Sequence, residues 1–173
     1  MKHLARIGFL ALCVAVSSIT ADQRPGGPSL VGKTAPSFVL PDLSGRTISL
    51  EDFRGKQVVQ IVGWASWCYG CRQEIPRLKE AYDKYHAEGF EILALTGPIN
   101  QDLSDVKAFA RKNALPYPVL FDQEQTVLEE YRIFFVPYTL LMDRDGKVVY
   151  EGTHLPNDYE KRIEKLLRPD RRA

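Results

Sequence analysis

Two cysteines stand where a predicted buried strand leads directly into a predicted helix, and this arrangement limits the possible folds of the chain. Residues 58–62 form a β-branched, largely apolar run, which is typical of a strand buried on both faces. Cys68 and Cys71 follow within ten residues. A helix is then indicated by apolar side chains spaced three and four residues apart, at Ile75, Leu78, Tyr82 and Tyr85. The pattern predicts that Cys68 lies in the first turn of this helix.

The rest of the chain alternates between predicted strands and helices. Turn residues at 42–45 lie between two short runs of period two, which predicts a hairpin over residues 38–50. Further strands are predicted at 90–95, 118–121, 136–142 and 147–150, and further helices at 103–113, 125–131 and 159–167. The order predicts an α/β fold, in which a mixed central sheet carries helices on both faces.

The first residues have the pattern of an export signal. Lys2 and Arg6 give a positive start, residues 7–16 are apolar, and small residues precede a cleavage point after Ala21. The apolar run is shorter than the roughly 20 residues that a membrane span requires. We therefore predict a signal peptide over 1–21, with an uncleaved membrane anchor as the alternative.

Length and charge limit the remaining possibilities. The 173 residues suit one domain, and we predict a linker at 22–32, a domain at 33–170 and a tail at 171–173. The net charge of +1 gives no electrostatic argument for binding nucleic acid or an anionic membrane. Membrane contact is predicted only through an uncleaved anchor, and no motif predicts a cofactor.

Cleavage of the predicted signal peptide would leave two cysteines, and their spacing suits redox chemistry. The loop between Cys68 and Cys71 is too small to constrain the unfolded chain much, which weakens a purely architectural role. A helix N-terminus favours thiolate over thiol, and such sites lower a cysteine pKa from about 8.5 to about 7 or below. We expect Cys68 to be the exposed nucleophile, with Trp67 packed beside the pair. Cys71 shares the buried stripe of the helix and would resolve the mixed disulfide.

Two other interpretations of these residues remain open. A zinc site would need two more ligands, and the remaining histidines, His86 and His154, are not paired at ligand spacing. Glu74, three residues after Cys71, could take the proton of the Cys71 thiol. Alternatively, Glu74 is an exposed helix residue paired with Arg77 or Lys79.

Three segments resemble the TlpA/ResA-like branch of the thioredoxin superfamily. Residues 64–76 (WASWCYGCRQEIP) are similar to its active-site segment. Residues 31–38 (VGKTAPSF) are similar to the first residues of that branch and of peroxiredoxins. Pro137, with residues 140–143 and 145–146, resembles the cis-proline strand and the hairpin that follows it.

This resemblance implies a thioredoxin fold and a thiol:disulfide oxidoreductase that exchanges disulfides with cysteine-containing proteins. It also implies that Pro137 is cis and faces the cysteines, that Val136 pairs with a substrate strand, and that Glu74 is the functional buried glutamate of the branch. Relatives in this branch mostly act as reductants in the periplasm or on the extracytoplasmic face of the membrane. They often serve cytochrome c maturation and are recharged by a membrane thiol carrier.

The sequence departs from this branch beside the cis-proline. Phe135 stands where a glycine is usual, and Tyr138 stands where a small residue is usual. The aromatics either make the substrate groove narrower and more apolar, or they pack in the core together with Phe134.

Two other functions compete with disulfide exchange. A peroxidase of the peroxiredoxin type would need a proline and a threonine before its cysteine, and neither stands at the matching positions here. A copper metallochaperone could use both thiolates and His154, because soft thiolates suit Cu(I). That family, however, spaces its cysteines by three residues.

Overall fold

A computed structural model of the chain describes residues 28–168, and the predicted signal peptide lies outside this range. Its main sheet has five strands in the order β5-β4-β3-β6-β7, and a separate hairpin consists of β1 and β2. The strands are β1 (Val39–Pro41), β2 (Thr47–Ser49), β3 (Val58–Gly63), β4 (Phe90–Thr96), β5 (Val119–Phe121), β6 (Tyr138–Met142) and β7 (Val148–Gly152). The helices are α1 (Tyr69–Tyr85), α2 (Leu103–Lys112), α3 (Thr126–Glu130) and α4 (Tyr159–Leu167). The predicted α/β fold is confirmed.

Strand β3 lies at the centre of the main sheet, parallel to β4 and antiparallel to β6. Every residue of these three strands is buried, which explains their nearly continuous apolar sequences. Successive side chains point to opposite faces, so Val58 and Val62 belong to one hydrophobic cluster and Val59 and Ile61 to the other.

The two clusters correspond to two layers of covering elements. Leu78 of α1, Val106 of α2 and Ile163 of α4 pack on one face of the sheet. Leu128 of α3 and Ile48 of the hairpin pack on the other face. The sheet is therefore covered on both sides, as the order of the predicted elements indicates.

One buried polar side chain interrupts the apolar sequence of β3. The Gln60 amide donates to Thr139 Oγ1 at 2.8 Å, and its carbonyl oxygen accepts a hydrogen bond from the Tyr159 hydroxyl. Burial raises the pKa of the Tyr159 phenol, so this group stays a donor at neutral pH. These bonds connect β3 with β6 and α4 and satisfy the polar atoms of Gln60 in the core.

The outer strands of the main sheet are partly paired with irregular segments. Next to β7, the Gly32 amide donates to the Val148 carbonyl at 2.8 Å, and the Val148 amide donates to the Lys33 carbonyl at 2.9 Å. Next to β5, the Leu43 amide donates to the Val119 carbonyl at 3.1 Å. The described end of the predicted linker therefore lies along the domain. None of the helices within residues 28–168 has both the length and the apolar composition of a membrane span.

Candidate active site

Cys68 lies between the end of β3 and the first residue of α1, at the helix N-cap. Its Sγ accepts a hydrogen bond from the Cys71 amide at 3.1 Å, and the two cysteines form a disulfide bond. This amide is one of the N–H groups that a helix N-terminus leaves without a partner in the helix. The same donor would stabilise a Cys68 thiolate once the disulfide is reduced.

The prediction of an exposed Cys68 is wrong for this disulfide-bonded form. The exposed fraction is 4% for Cys68 and 5% for Cys71, so both residues are buried to the same degree. Both belong to the apolar cluster that includes Trp64 and Ala65, and Val136 packs against that cluster. The loop before β6 thus helps to bury the two cysteines, and the spacing of apolar residues along the helix does not predict this contact. The two sulfurs differ in the amide hydrogen bond, which only Cys68 is placed to accept.

The loop before β6 contacts the segment between the two cysteines. The Val136–Pro137 peptide bond is cis, as the resemblance implies. A Cβ atom built on Gly70 would lie 3.2 Å from Pro137 Cδ, which is tighter than ordinary van der Waals contact. The absence of a side chain at Gly70 therefore allows the proline ring to pack against the first turn of α1.

Trp67 and the residues before the cis-proline line a cavity beside the dithiol. The Trp67 indole donates to the Ile99 carbonyl at 2.7 Å, and 45% of the residue remains exposed. Phe134 and Phe135 are also exposed and line the same cavity, which has a volume of about 230 Å³. Trp67 immediately precedes Cys68 in the chain, and its packing against the two cysteines stays a prediction.

The aromatic residues around the cis-proline divide between the two predicted roles. Tyr138 is buried, and its hydroxyl donates to Glu151 at 2.9 Å. Burial, together with this carboxylate partner, raises the pKa of the Tyr138 phenol. The prediction of core packing is therefore confirmed for Tyr138. It is wrong for Phe134 and Phe135, which keep more than half of their surface exposed.

Gln101 positions the segment before Cys68, and no sequence motif marks it. Its Oε1 accepts a hydrogen bond from the Ser66 amide at 2.7 Å. Its Nε2 donates to Thr96 Oγ1 at 2.7 Å and to the Gly97 carbonyl at 2.9 Å. The Thr96 hydroxyl in turn donates to the Trp64 carbonyl at 2.7 Å. One amide side chain thus joins the residues that lead to Cys68 with the end of β4.

Glu74 lies on α1 three residues after Cys71, and its side chain is only 13% exposed. Its Oε1 accepts a hydrogen bond from the Leu155 amide at 2.9 Å, and His154 Nδ1 lies 3.3 Å from the same oxygen. The structure therefore brings Glu74 to the loop before α4. Residues three apart on a helix lie on the same face, so the carboxylate is on the Cys71 side of α1.

The alternative of an exposed Glu74 paired with Arg77 or Lys79 is wrong. Arg77 forms an ion pair with Glu160 of α4, with Nε 2.7 Å from Oε1. This hydrogen bond lowers the pKa of the Glu160 carboxyl and raises that of the Arg77 guanidinium. Lys79 Nζ donates instead to the Asn113 carbonyl at 3.0 Å. Both cations have other partners because neighbouring elements pack against α1.

A zinc or copper site would require further ligands beside the two cysteines. Residues 28–168 contain no group of three or more His, Cys, Asp and Glu side chains arranged to hold a metal ion. His154 contacts Glu74, and His86 contacts the Phe90 carbonyl at 3.1 Å.

Known proteins resemble this chain over most of its length. The model of the AhpC/TSA family matches residues 31–151. The thiol-disulfide oxidoreductase ResA of Geobacillus thermodenitrificans is 38% identical over 138 residues, which cover 79% of this chain and 78% of that protein. ResA of Bacillus subtilis is 34% identical over 118 residues, covering 68% and 64% of the two chains.

Solved structures confirm the thioredoxin fold that the resemblance implies. The thioredoxin domain of a thiol-disulfide oxidoreductase from Bacteroides vulgatus has a TM-score of 0.71 at 28% identity, covering 80% of this chain and 98% of that one. A thiol:disulfide interchange protein from a Bacteroides species has a TM-score of 0.70 at 27% identity, covering 82% and 93%. The chain belongs to the AhpC/TSA family and is a ResA-like thiol-disulfide oxidoreductase of thioredoxin fold.

Proposed function

We propose that this oxidoreductase acts outside the cytoplasm as a reductant of disulfide bonds in other proteins. The observation that carries the proposal is the arrangement of the cysteines. Cys68 Sγ lies at the N-cap of α1, accepts the Cys71 amide and is within bonding distance of the Cys71 sulfur. A nucleophilic sulfur with a stabilising donor and a resolving thiol are therefore next to each other.

The reaction begins from the reduced form. The Cys68 thiolate attacks one sulfur of a substrate disulfide, so that a mixed disulfide forms and one substrate thiolate leaves. Cys71 then loses its proton and attacks Cys68 Sγ, and the second substrate thiolate departs. Two electrons pass to the substrate, which becomes a dithiol, while the enzyme becomes the Cys68–Cys71 disulfide.

We assign Glu74 as the acceptor of the Cys71 proton in the second step. Three features support this role: about one helical turn separates the two residues, the carboxylate is mostly buried, and Arg77 and Lys79 make their hydrogen bonds to other partners. A carboxylate in this place allows a shielded thiol to lose its proton without direct access to water.

We propose that an extended substrate segment binds alongside Val136. Among residues 28–168, the main chain of Val136 makes no hydrogen bond, and Pro137 has no N–H to offer. An extended polypeptide could therefore pair with this loop in the manner of an added strand. The pairing would bring the substrate disulfide to Cys68, because Pro137 packs against Gly70 of the same turn.

The first residues and the family support a cellular setting outside the cytoplasm. The signal-like pattern of residues 1–21 supports export to the periplasm or to the extracytoplasmic face of the membrane. In an oxidising compartment a reductant needs a supply of electrons, and we propose a membrane thiol carrier as the donor. Apocytochromes c are the proposed substrates, because their haem-binding cysteines must be reduced before haem is attached.

Two cysteine variants test the proposal. Cys68→Ala should abolish the reduction of protein disulfides, whereas Cys71→Ala should accumulate a mixed disulfide that mass spectrometry can identify after trapping from a periplasmic extract. Consumption of hydrogen peroxide by the reduced protein, measured in parallel, should be much slower than disulfide exchange. Full exchange activity in Cys68→Ala would overturn the assignment. The reduction potential, measured against glutathione, tests the direction of exchange.

A further inference from the structure

The exposed hydrophobic side chains of the described chain are concentrated beside the dithiol. Of eight large hydrophobic residues exposed within residues 28–168, four line the cavity described above, here called the aromatic cavity. These four are Trp67, Ile99, Phe134 and Phe135. Isolated exposed hydrophobic residues are normal on a protein surface, but a contiguous apolar patch marks a binding site.

The Gln101 and Thr96 side chains, which line the aromatic cavity, are already paired within the protein, and the Trp64 indole N–H, which has no partner among residues 28–168, is buried. The Gln101 side chain binds Ser66, Thr96 and Gly97, and the Thr96 hydroxyl also binds the Trp64 carbonyl. The cavity therefore presents mainly apolar surface to a ligand. A charged group would lose hydration there, and the Gln101 and Thr96 side chains are not free to replace it.

The walls of the cavity are held in place before any substrate binds. The Trp67 indole is fixed by its hydrogen bond to the Ile99 carbonyl. The Ile133 amide donates to the Leu128 carbonyl at 2.8 Å, which fixes the start of the segment that carries Phe134 and Phe135. An indole and a main-chain segment that are already held in place reduce the entropy lost when an apolar group binds against them.

The volume indicates the size of the ligand. An apolar cavity of about 150 Å³ is enough to hold benzene. The aromatic cavity, at about 230 Å³, can therefore take one aromatic ring or one large aliphatic side chain. It is too small for a folded element, but it is continuous with the site, because Trp67 immediately precedes Cys68 and Val136 immediately precedes Pro137.

We propose that the aromatic cavity binds one aromatic side chain of the substrate polypeptide, close in sequence to the cysteine that Cys68 attacks. The proposal rests on the proposed function, since it assumes that a polypeptide pairs with Val136. Main-chain pairing is independent of sequence, so a side-chain pocket beside it would supply the selectivity. The substrate class is thus an extended cysteine-containing segment with a nearby Phe, Tyr or Trp.

A set of small peptides tests this assignment with the full-length reduced protein. Each peptide carries one cysteine as a mixed disulfide with thionitrobenzoate, whose release is followed by absorbance. One Phe is placed in turn at each of three positions on either side of the cysteine, and the reference peptide has Ala throughout. Burying a phenyl ring is worth about 1.5–3 kcal/mol, so the best Phe peptide should react at least about tenfold faster than the reference.

Two variants test whether the preference for Phe peptides arises from the aromatic cavity. Phe135→Ala removes one wall of the cavity and should reduce the preference to about threefold or less. The residue is 62% exposed, so folding should be retained, which thermal unfolding checks. Val39→Ala is the matched control, because Val39 is also exposed and lies on β1 outside the cavity. This variant should keep the full preference.

The outcomes separate the two proposals. The symmetric disulfide of thionitrobenzoate, which carries no peptide, is the reference substrate. Failure of the reduced protein to cleave it would count against the proposed function itself. Normal cleavage with equal rates for Phe and Ala peptides would overturn only the aromatic cavity as a substrate site. Equal rates, together with a dimer in sedimentation analysis that Phe135→Ala converts to a monomer, would instead assign the cavity to contact between two copies of the chain.

Discussion

The Glu74 carboxylate accepts a hydrogen bond from the main-chain amide of Leu155 at 2.9 Å, and this bond joins α1 to the loop before α4. The same carboxylate is the one assigned to take the proton of Cys71. A substitution at this position can therefore act through structure or through proton transfer. The two effects can be separated, because glutamine keeps an acceptor oxygen and cannot accept the proton.

Glu74→Gln should keep the bond to Leu155 and lower the rate at which Cys71 resolves the mixed disulfide. A loss on the order of 10²-fold at neutral pH is expected, together with a changed pH profile. Stopped-flow measurement of mixed-disulfide decay follows this step. Glu80→Gln, an exposed position on the same helix, should have no effect. If Glu74→Gln behaves like the wild type and only Glu74→Ala is impaired, the role of Glu74 is structural.

Gln101→Ala should impair exchange more than its effect on stability explains. The substitution removes the acceptor of the Ser66 amide and the donor to the Gly97 carbonyl, and we expect a loss of about 1–3 kcal/mol in the free energy of unfolding. We also expect roughly a tenfold lower rate of exchange, because the segment before Cys68 loses its support.

Asn113→Ala is the control for Gln101→Ala. The Asn113 side chain also bonds a main-chain carbonyl, that of Phe109 at 2.8 Å, at the end of α2. Urea unfolding and exchange rates should show a loss of stability without a comparable loss of activity. Equal losses of activity in both variants would contradict a specific role for Gln101.

Gly63→Ala should destabilise the end of β3. A Cβ atom at this position would lie 2.5 Å from Ile133 Cγ2 and 3.2 Å from Tyr138 Cβ, so buried neighbours would have to move. Such overpacking costs about 1–3 kcal/mol, which urea unfolding can measure. Gly152→Ala should cost less, because its new Cβ would meet the hydroxyl end of the Tyr150 side chain, which can turn away with the loss of one exposed hydrogen bond to the His154 carbonyl. A larger loss in Gly152→Ala would show that the packing argument is wrong.

Glu91→Gln should raise stability at neutral pH. Burial raises the pKa of the Glu91 carboxyl above its usual 4.5, although the Ile92 amide donates to it at 3.0 Å. The folded state therefore favours the protonated carboxyl, and this contribution to stability is complete below about pH 4.5 and is lost as the pH rises through the raised pKa. Glutamine stays neutral throughout.

The free energy of unfolding of Glu91→Gln should consequently exceed that of the wild type by little near pH 4 and by more towards pH 7. Urea unfolding across this range measures it. The exposed neighbour Glu88, changed to Gln, should show no such growth. A constant difference across the range would exclude ionisation of Glu91 as the cause.

The sequence predicted those parts of the site that depend on neighbouring residues. The end of β3, the position of Cys68 at the start of α1 and the bounds of α4 follow from local periodicity and from helix geometry. The cis bond at Pro137 was implied by resemblance. Both kinds of information concern short, continuous segments.

Contacts between distant segments were not predictable in this way. Gln101 reaches Ser66, and Glu74 reaches Leu155, only because β4 and α4 pack beside α1 and β3. The sequence predicts an exposed Cys68, and the structure buries it, for the same reason: the loop that contains Val136 comes from much later in the chain. Periodicity identifies the inner face of a helix, but it does not show which loop covers the end of that helix.

The pairing along the outer strands has a consequence for how this enzyme meets unfolded polypeptides. Residues 32–35 pair with residues 146–148 at the start of β7, and the hairpin turn pairs with Val119 and Leu120 of β5, so part of each outer strand is already engaged. An unprotected strand edge would bind extended chains indiscriminately and promote aggregation. Under the proposed function, an extended substrate would instead pair with the loop before β6, which lies next to the reactive sulfur.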